Sequence, residues 1–552
     1  MSQPTLAKLR RIAQVLFFGL FLLHLVETEF RGSLKAVSGD IRLPIPYPAI
    51  FLQSDPLVAI INALATRELY RGLLWSLTIL IPTFFLGRIF CGWICPLGTL
   101  NHFFGSLKSE RKRGQQRLES NRYKKWQTLK YYLLIAVLVS ALFGSSLLAA
   151  MDPISLTIRS LTVSVLPALN YAFNAIFGAA GHLPGLRFAT DIAEFILKAT
   201  ILSFKQPYFR QGFFLGLVFL AILILNLRIT RFWCRALCPL GALLGVVSRW
   251  SLLGLEKNPS HCEDCNRCLL HCQGGDDPIP NASWRKAECH LCFNCVADCP
   301  EASLRFKFLP ALKTTVEGPN LQRRRALTGV AAGAALLPVL RSTAGLAAEA
   351  DPRLIRPPGS LDEKNFLARC VRCGECMKVC PTNVLQPTLT QAGFEGLWTP
   401  VLAPRIGYCE PSCVLCGQVC PTGAIWEITQ AEKGWLPATA AKNAKPVRLG
   451  TAFYDRGRCL PWAMATECIV CEEWCPTSPK AIYLRPAEVF DHDGKPKQVR
   501  QPYLDADRCI GCGACEFACP VKGQPAIYVT SVGESRSKTN QVLLKGARKE
   551  SA

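Results

Sequence analysis

The residues of this chain best suited to chemistry are its cysteines, of which there are 28 among 552 residues. Most of them recur at fixed spacings. Four sets have the spacing C-x2-C-x2-C-x3-C: Cys262, Cys265, Cys268 and Cys272; Cys289, Cys292, Cys295 and Cys299; Cys370, Cys373, Cys376 and Cys380; and Cys509, Cys512, Cys515 and Cys519. Two sets widen the first gap: Cys409, Cys413, Cys416 and Cys420; and Cys459, Cys468, Cys471 and Cys475. The remaining cysteines form two C-x3-C-P pairs, Cys91/Cys95 and Cys234/Cys238, so every cysteine belongs to a pattern.

The six sets of four have the spacing that binds [4Fe–4S] clusters. Three closely spaced thiolates fit a tight loop around one cubane, and the fourth ligates the neighbouring cluster. Proline follows the fourth cysteine in every set except the first, where Gln273 follows Cys272. Disulfide frameworks need no such triplet, and zinc sites favour two separated C-x2-C pairs. The spacing therefore predicts six [4Fe–4S] clusters rather than disulfides or zinc.

The two C-x3-C-P pairs leave three interpretations open. Each pair places two thiols four residues apart, on one face if the segment is helical. Two such pairs facing each other would supply four sulfurs. These could hold a further metal centre, form a thiol–disulfide couple, or only pack.

The composition excludes a purely soluble or disordered chain. Half of the residues are hydrophobic, 19% are charged and the mean hydropathy is +0.21. Four uncharged apolar runs are predicted to span a membrane: Ile12–Val26, Gly72–Gly87, Tyr131–Met151 and Gln211–Leu227. The run Ser160–Leu186 contains prolines and asparagines, and we expect an interfacial or re-entrant segment there. His24 lies within the first run, where an interior hydrogen bond is favoured over a contact with a quinone.

The distribution of charge predicts which ends of these runs face the cytoplasm. Basic residues cluster at Lys8–Arg11, Lys108–Lys130 and Arg228–Arg235. The positive-inside rule then places these segments and the first two clusters on the cytoplasmic side. Six oxidised clusters, at about −2 each with their thiolates, would lower the formal net charge from +23 to about +11. No nucleic-acid-binding motif is present, so a nucleic-acid partner is not expected.

A second targeting segment lies in the middle of the chain, at residues 320–350. It begins with Arg323, Arg324 and Arg325, continues through the mildly apolar run Ala326–Leu340, and ends in small residues. This layout is typical of a twin-arginine export signal. A plain anchor helix or a loosely hydrophobic linker is the alternative. The signal predicts that residues after about Asp351 face the periplasm.

Two family resemblances cover nearly the whole chain. Residues 1 to about 310 resemble NapH-type membrane quinol-dehydrogenase ferredoxins, on the strength of four spans, the segments Cys91–Pro96 and Cys234–Pro239, and two cluster motifs. Residues from about 320 onward resemble NapG/MauM-type periplasmic ferredoxins, which have an arginine-rich signal and four cluster motifs. The chain departs from both families by joining the two partners in one polypeptide.

The predicted fold is a membrane all-α four-helix part combined with α+β bacterial-ferredoxin-like modules that carry the clusters. The expected units are a four-span membrane domain (residues 1–250), a two-cluster domain (251–310), the signal or anchor segment (320–350) and a four-cluster domain (351–552). In the two-cluster domain, Cys299 is expected to complete the cluster of Cys262, Cys265 and Cys268, and Cys272 the cluster of Cys289, Cys292 and Cys295. In the four-cluster domain, similarity to four-cluster electron-transfer subunits implies that the outer motifs pair and the inner motifs pair.

The resemblance implies an electron carrier, or a component of a quinol dehydrogenase, in the bacterial inner membrane. Its partners would be the bilayer, a membrane quinol and a periplasmic reductase or electron carrier, with a nitrate reductase-type system favoured. The alternative is an accessory factor that supplies electrons for metal-centre assembly in another enzyme. An enzyme that reduces a small molecule itself is not supported, because the sequence contains no dinucleotide fingerprint, phosphate-binding loop or haem attachment site.

Overall fold

A computed structural model describes residues 3–29, 43, 48–109, 114–181, 187–200, 203, 206–309, 318, 321–435, 445–490 and 492–540. The part before Trp250 is helical. Its helices are α1 (Gln3–Glu27), α2 (Ile50–Gln53), α3 (Pro56–Thr66), α4 (Leu77–Leu86), α5 (Ile89–Trp93), α6 (Pro96–Ser109), α7 (Gln115–Asn121), α8 (Leu129–Leu142), α9 (Pro153–Ser160), α10 (Leu166–Gly181), α11 (Arg187–Thr200), α12 (Gly212–Arg228), α13 (Phe232–Ala236) and α14 (Pro239–Val247). Its core consists mostly of leucine, isoleucine, valine and phenylalanine side chains.

Two helices among the described residues are long and apolar enough to cross a bilayer: Thr5–Glu27 and Pro153–Gly181. The first contains the predicted span Ile12–Val26, and its side chains Ile12, Val15 and Leu16 are exposed rather than packed. The second and fourth predicted spans lie on the shorter apolar helices Arg71–Leu86 and Gly212–Arg228. The third falls on α8, which ends at Leu142. The four-span arrangement therefore stays a prediction.

The segment Ser160–Leu186, predicted to be interfacial or re-entrant, is helical up to Gly181. The helices α9 and α10 are joined by a π-helical turn at Leu161–Val165, so Pro153–Gly181 forms one continuous helix. Pro153 opens it, at a first-turn position where the missing N–H needs no partner. Pro167 lies in the interior of this helix, just after the π-helical turn, and does not break it. Residues 182–186 of the predicted segment lie outside the described residues.

The two-cluster domain is built on a small antiparallel pair of strands, β1 (Leu253–Lys257) and β2 (Leu304–Phe308). Two four-residue helices, α15 (Arg267–Leu270) and α16 (Asn294–Ala297), follow its cysteine loops. The domain sits at the amino-terminal end of α1, where Arg10 Nη1 donates to Gln273 Oε1 at 3.1 Å.

The signal segment forms the helix α17 (Arg323–Ala350), which packs along α8. A side-chain carbon added at Gly333 would lie 2.9 Å from the carbonyl oxygen of Ala136, so the two helices are in close contact. At 1.5 Å per residue, its 28 residues span about 42 Å. This helix leads the chain from the two-cluster domain to the four-cluster domain.

The four-cluster domain contains short elements around its cysteine loops. Its helices are α18 (Glu363–Arg369), α19 (Glu375–Lys378), α20 (Leu415–Gln418), α21 (Gln430–Lys433), α22 (Leu460–Ala463), α23 (Val470–Glu473) and α24 (Ala514–Ala518). Its strands are β3 (Leu385–Pro387), β4 (Pro400–Leu402), β5 (Thr451–Tyr454), β6 (Ile482–Phe490), β7 (Pro496–Leu504) and β8 (Ile527–Thr530), paired antiparallel as β3–β4, β5–β8 and β6–β7.

The two-cluster domain and the four-cluster domain lie at opposite ends of the helical part. Lys378 Nζ, in the four-cluster domain, donates to the hydroxyl of Thr28 at 2.9 Å, just beyond the carboxyl end of α1. Arg10, which contacts the two-cluster domain, is 18 residues earlier. An α-helix of that length extends about 27 Å.

Candidate iron–sulfur centres

In the two-cluster domain, the cysteines of different motifs combine as predicted. Cys262, Cys265 and Cys268 line a cavity of about 400 Å³ together with Cys299 of the second motif. Burial raises the pKa of Cys268 to about 12, and the neighbouring thiols of Cys299, Cys265 and Cys262 add to the increase. Three sulfurs from one loop and a fourth from the next motif therefore converge on one space.

The second centre of this domain is deeply buried. Burial raises the pKa of Cys272 well above its usual value, and the neighbouring Asp276 and Cys292 add to the increase. Cys272 Sγ donates to Asp276 Oδ1 at 2.7 Å, and Trp284 Nε1 donates to the other oxygen at 3.1 Å. Cys272 thus lies beside Cys292 of the other motif. The sequence analysis missed Asp276, because one aspartate in a loop carries no spacing signal.

In the four-cluster domain, the predicted nested pairing is wrong. One cavity of about 380 Å³ is lined by the triplet Cys370, Cys373 and Cys376 together with Cys420, which belongs to the next motif. Cys380 is in turn near Cys409, Cys413 and Cys416. The first motif therefore pairs with the second.

The third and fourth motifs pair in the same way. A cavity of about 330 Å³ is lined by Cys509, Cys512, Cys515 and Cys475. Cys519 is near Cys459 and Cys471, beside Cys468. The antiparallel strands β5 and β8, which precede the third motif and follow the fourth, hold this pair of motifs together.

The ligand loops of the regular motifs share a backbone conformation. The residues directly before and after the middle cysteine have positive φ in all four: Asp264 and Asn266, Leu291 and Phe293, Arg372 and Gly374, and Gly511 and Gly513. A left-handed conformation is costly for side chains such as leucine and phenylalanine. Two such residues on either side of one cysteine curl the loop so that its three sulfurs face inward.

A buried lysine supports the centre formed by the second motif. Lys433, at the end of α21, donates to the carbonyl oxygens of Glu410 and Cys413, both at 2.7 Å. Its ammonium also lies 3.7 Å from Cys409 Sγ. The side chain is fully buried. Cations and hydrogen bonds near cluster sulfurs are a means of tuning reduction potential.

The four C-x3-C-P cysteines also come together. Cys95 is near Cys234 and Cys91, and Cys238 is near all three others. All four are buried. Each sulfur accepts one hydrogen bond: Cys91 from Arg88 Nη2 at 3.9 Å, Cys95 from Gly98 N at 3.4 Å, Cys234 from Asn101 Nδ2 at 3.4 Å, and Cys238 from Gly241 N at 3.2 Å. The two pairs therefore face each other.

The donor set fits iron–sulfur clusters better than the alternatives. All 28 cysteines are described, and none is in a disulfide. Within the described residues, no group of three or more histidine, cysteine, aspartate or glutamate side chains is arranged to hold a single metal ion. In a cubane each thiolate ligates a different iron, so the sulfurs surround a volume rather than one point. The exchanged cysteines around each cavity match that requirement.

Comparison with known proteins identifies iron–sulfur domains in both halves of the chain. A family model described as a 4Fe-4S binding domain (Fer4_5) matches residues 69–114 and 211–257. Two further models with the same description match residues 500–521 (Fer4_2) and 367–386 (Fer4). These matches support [4Fe–4S] clusters as the cofactors. No solved structure matches the chain.

Similar proteins are ferredoxin-type. The methylamine utilization ferredoxin-type protein MauM of Methylorubrum extorquens is 36% identical over 38% of this chain and 88% of its own length. MauM of Paracoccus denitrificans is 35% identical over 33% of this chain and 74% of its own length. The ferredoxin-type protein NapG of Escherichia coli is 33% identical over 38% of this chain and 86% of its own length. With its paired cysteine motifs, the chain belongs to the family of MauM and NapG ferredoxin-type iron–sulfur proteins.

Proposed function

We propose that this protein conducts electrons from a membrane quinol through its [4Fe–4S] clusters to a periplasmic reductase or electron carrier, with a nitrate reductase-type system as the favoured acceptor. The observation that carries the proposal is the placement of two cluster domains at opposite ends of one apolar helical part. A quinol releases two electrons and two protons on oxidation to the quinone, while each cluster accepts one electron. A chain of several clusters therefore separates the two electrons and transfers them one at a time.

We place the quinol head group at a small apolar cavity beside a cluster loop, which it would enter by displacing the lining side chains. The cavity lies between α1, α2, α9 and the four-cluster domain. Phe21, Phe51 and Ile158 line it together with His24 and Glu375. His24 Nε2 is hydrogen-bonded to the carbonyl oxygen of Pro48 at 3.0 Å, as the interior reading of this residue predicts. Glu375 lies between the cluster ligands Cys373 and Cys376, so a head group here would be next to an electron acceptor.

The proposed topology places the two-cluster domain in the cytoplasm and the four-cluster domain in the periplasm. The basic segments near α1, α7 and α12 support the first assignment through the positive-inside rule. The helix α17, which begins with the three arginines Arg323–Arg325 and runs beside α8, supports a crossing between the two domains. Protease treatment of spheroplasts and of inverted vesicles tests this topology. We expect spheroplasts to lose only the four-cluster domain, whereas equal protection of both domains contradicts it.

Anaerobic mixing with ubiquinol or menaquinol analogues tests the quinol step. We expect the visible cluster absorbance of the purified oxidised protein to bleach. His24→Ala should slow bleaching by about tenfold, because the polar contact proposed between the imidazole and the quinol head group is lost. Phe84→Ala, at an exposed apolar position of α4, is the matched control and should bleach at the wild-type rate. An unaltered rate in the His24 variant removes the cavity from the proposal. No bleaching by either quinol overturns quinol oxidation.

The accessory role in metal-centre assembly is the second candidate. It predicts that cells lacking this protein accumulate a partner enzyme without its metal centre. The electron-transfer role predicts a partner that is fully loaded with metal but receives no electrons. Metal analysis of the partner enzyme purified from a deletion strain therefore separates the two.

A further inference from the structure

Two short sequences in the helical part are repeats of one another. Residues 88–98 and 231–241 both have the pattern R-x-x-C-x3-C-P-L-G, in which Pro96 and Pro239 open the helices α6 and α14. The second cysteine of each repeat therefore lies at a helix amino terminus. There its sulfur accepts a hydrogen bond from the backbone N–H of the glycine three residues later. Helix amino termini favour thiolates over thiols.

The arginine of each repeat is a buried cation. Arg88 and Arg231 are almost completely inaccessible to solvent. Arg88 donates to the carbonyl oxygen of Ala287 and Arg231 to that of Cys91. Arg88 Nε and two nitrogens of Arg231, Nε and Nη2, have no hydrogen-bond partner in the structure.

No carboxylate in the part of the chain that the structure describes forms an ion pair with either arginine. Glu288 is a nearby acid, but its two oxygens already bind Lys130 and Tyr131. Burying an unpaired charge costs several kcal/mol, so buried charges are normally paired or bound to metal sites. Two such cations next to four sulfurs indicate that an anionic group belongs between them.

We propose that Cys91, Cys95, Cys234 and Cys238 together ligate a seventh [4Fe–4S] cluster, shared between the two C-x3-C-P repeats. An oxidised [4Fe–4S] cluster with four thiolates carries a charge of about −2, which two arginines neutralise. The four sulfurs each have one hydrogen-bond donor, and such donors orient cluster ligands and tune their potential. The Fer4_5 description covers both segments but assigns no ligands; the geometry joins all four cysteines in one centre.

This centre lies between the two cluster domains. On one side, a side-chain carbon at Gly92 would clash with the carbonyl oxygen of His290, at 2.1 Å, which places the first repeat against the loop of Cys289 and Cys292. On α1, Gln14 donates to Gly92 at 2.8 Å, whereas the cavity lined by Glu375 begins at Phe21 and extends to Leu25. These positions are about 10–17 Å further along the helix at 1.5 Å per residue.

The role as a relay rests on the proposed function, although the binding of the cluster does not. The oxidised centre accepts one electron from a reduced cluster on one side and returns to its oxidised state by giving that electron to a cluster on the other side. Without it, electrons would have to cross most of the apolar helical part in one step.

Iron and acid-labile sulfide analysis of the intact, anaerobically purified chain tests the binding. Seven clusters correspond to about 28 irons per chain and six to about 24. We expect the wild type to hold about 28, and Cys91→Ser/Cys234→Ser to lose about four with an equal loss of sulfide. Ala236→Ser, which adds a hydroxyl between Cys234 and Cys238 without removing a sulfur, is the matched control and should keep all of them.

Equal iron in the wild type and the double variant overturns the proposal, as does one zinc per chain that disappears from the double variant. If the double variant does not fold, the iron content of the wild type decides, since about 24 irons in a chain with fully loaded ferredoxin domains leaves none for this site. Reduction of the clusters by a quinol, followed as bleaching of their visible absorbance, tests the relay separately. In the double variant, about two clusters should stay oxidised when the wild type is fully reduced, and full reduction at the wild-type rate contradicts a relay.

Discussion

At the scale of single residues, buried cations lie beside a cysteine sulfur in one place and around a carboxylate in another. Lys433 lies beside Cys409, and Arg356 and Arg536 enclose Glu363. The carboxylate of Glu363 accepts from Arg356 Nη2 at 2.6 Å and from Arg536 Nη1 at 2.8 Å. Burial alone would raise the pKa of Glu363, but the charges and hydrogen bonds of the two arginines lower it to about 2. This ion-pair group joins the start of α18 to the segment that follows β8.

Glu363→Gln should destabilise the four-cluster domain by about 2–3 kcal/mol, because it leaves the buried Arg356 without a carboxylate and Arg536 with Glu534 alone. The folded-state pKa is lower than the usual value of 4.5, so the carboxylate contributes its full stability above pH 4.5. That contribution falls as the pH drops from 4.5 toward 2. Urea unfolding of the anaerobic protein measures the difference between wild type and variant.

The difference between Glu363→Gln and the wild type should be constant between pH 8 and pH 5.5, because the carboxylate stays charged in both folded and unfolded chains there. A difference that shrinks over this interval would contradict the assigned ion pair. Glu467→Gln is the control, since the Glu467–Arg500 pair is solvent-exposed and should contribute much less.

At the scale of the elements, the cysteine spacing predicted which residues form the loops but not which loops combine. Spacing within a motif reflects the geometry of one cluster. The partner of each fourth cysteine depends instead on strand pairing, such as β5 with β8, which the sequence pattern does not encode. In these loops, sequence can indicate positive φ only where glycine occurs, at Gly374, Gly511 and Gly513. At Leu291 and Phe293, the binding loop imposes it against the preference of the side chains.

Pairs of cysteine substitutions test the sequential pairing of motifs through iron content. Two cysteines that ligate the same cluster should not have additive effects, because either substitution alone removes that cluster. We expect Cys370→Ser/Cys420→Ser to lose about four irons, no more than either single variant, and Cys370→Ser/Cys519→Ser to lose about eight. The nested arrangement predicts the reverse. Eight irons lost from the first double variant with four lost from the second would restore the nested pairing.

At the scale of the whole molecule, the helical part and the cluster domains are stabilised in different ways. The helical part has an extensive core of aliphatic and aromatic side chains. In the four-cluster domain, cysteines make up much of the core, and its helices are mostly single turns of four residues. Four-residue helices have no stability of their own. Cluster ligation therefore supplies much of the folding free energy of the two-cluster and four-cluster domains. It supplies little of the folding free energy of the helical part.

Removal of iron should consequently unfold one part of the chain and leave the other intact. We expect oxidation with an iron chelator, in detergent, to make residues after about Trp250 sensitive to trypsin, apart from the helix α17 packed on α8, while the part up to α14 stays resistant. Far-UV circular dichroism should retain most of its helical signal, since the long helices contain no ligand of the six predicted clusters. Protein treated with chelator and then reconstituted with iron and sulfide is the control, and should recover its resistance. Equal resistance of the cluster domains before and after iron loss would show that their apolar contacts suffice without the clusters. Faster digestion of α6 and α14 than of α1 and α12 would instead locate a further stabilising centre at the C-x3-C-P repeats, where those two helices begin.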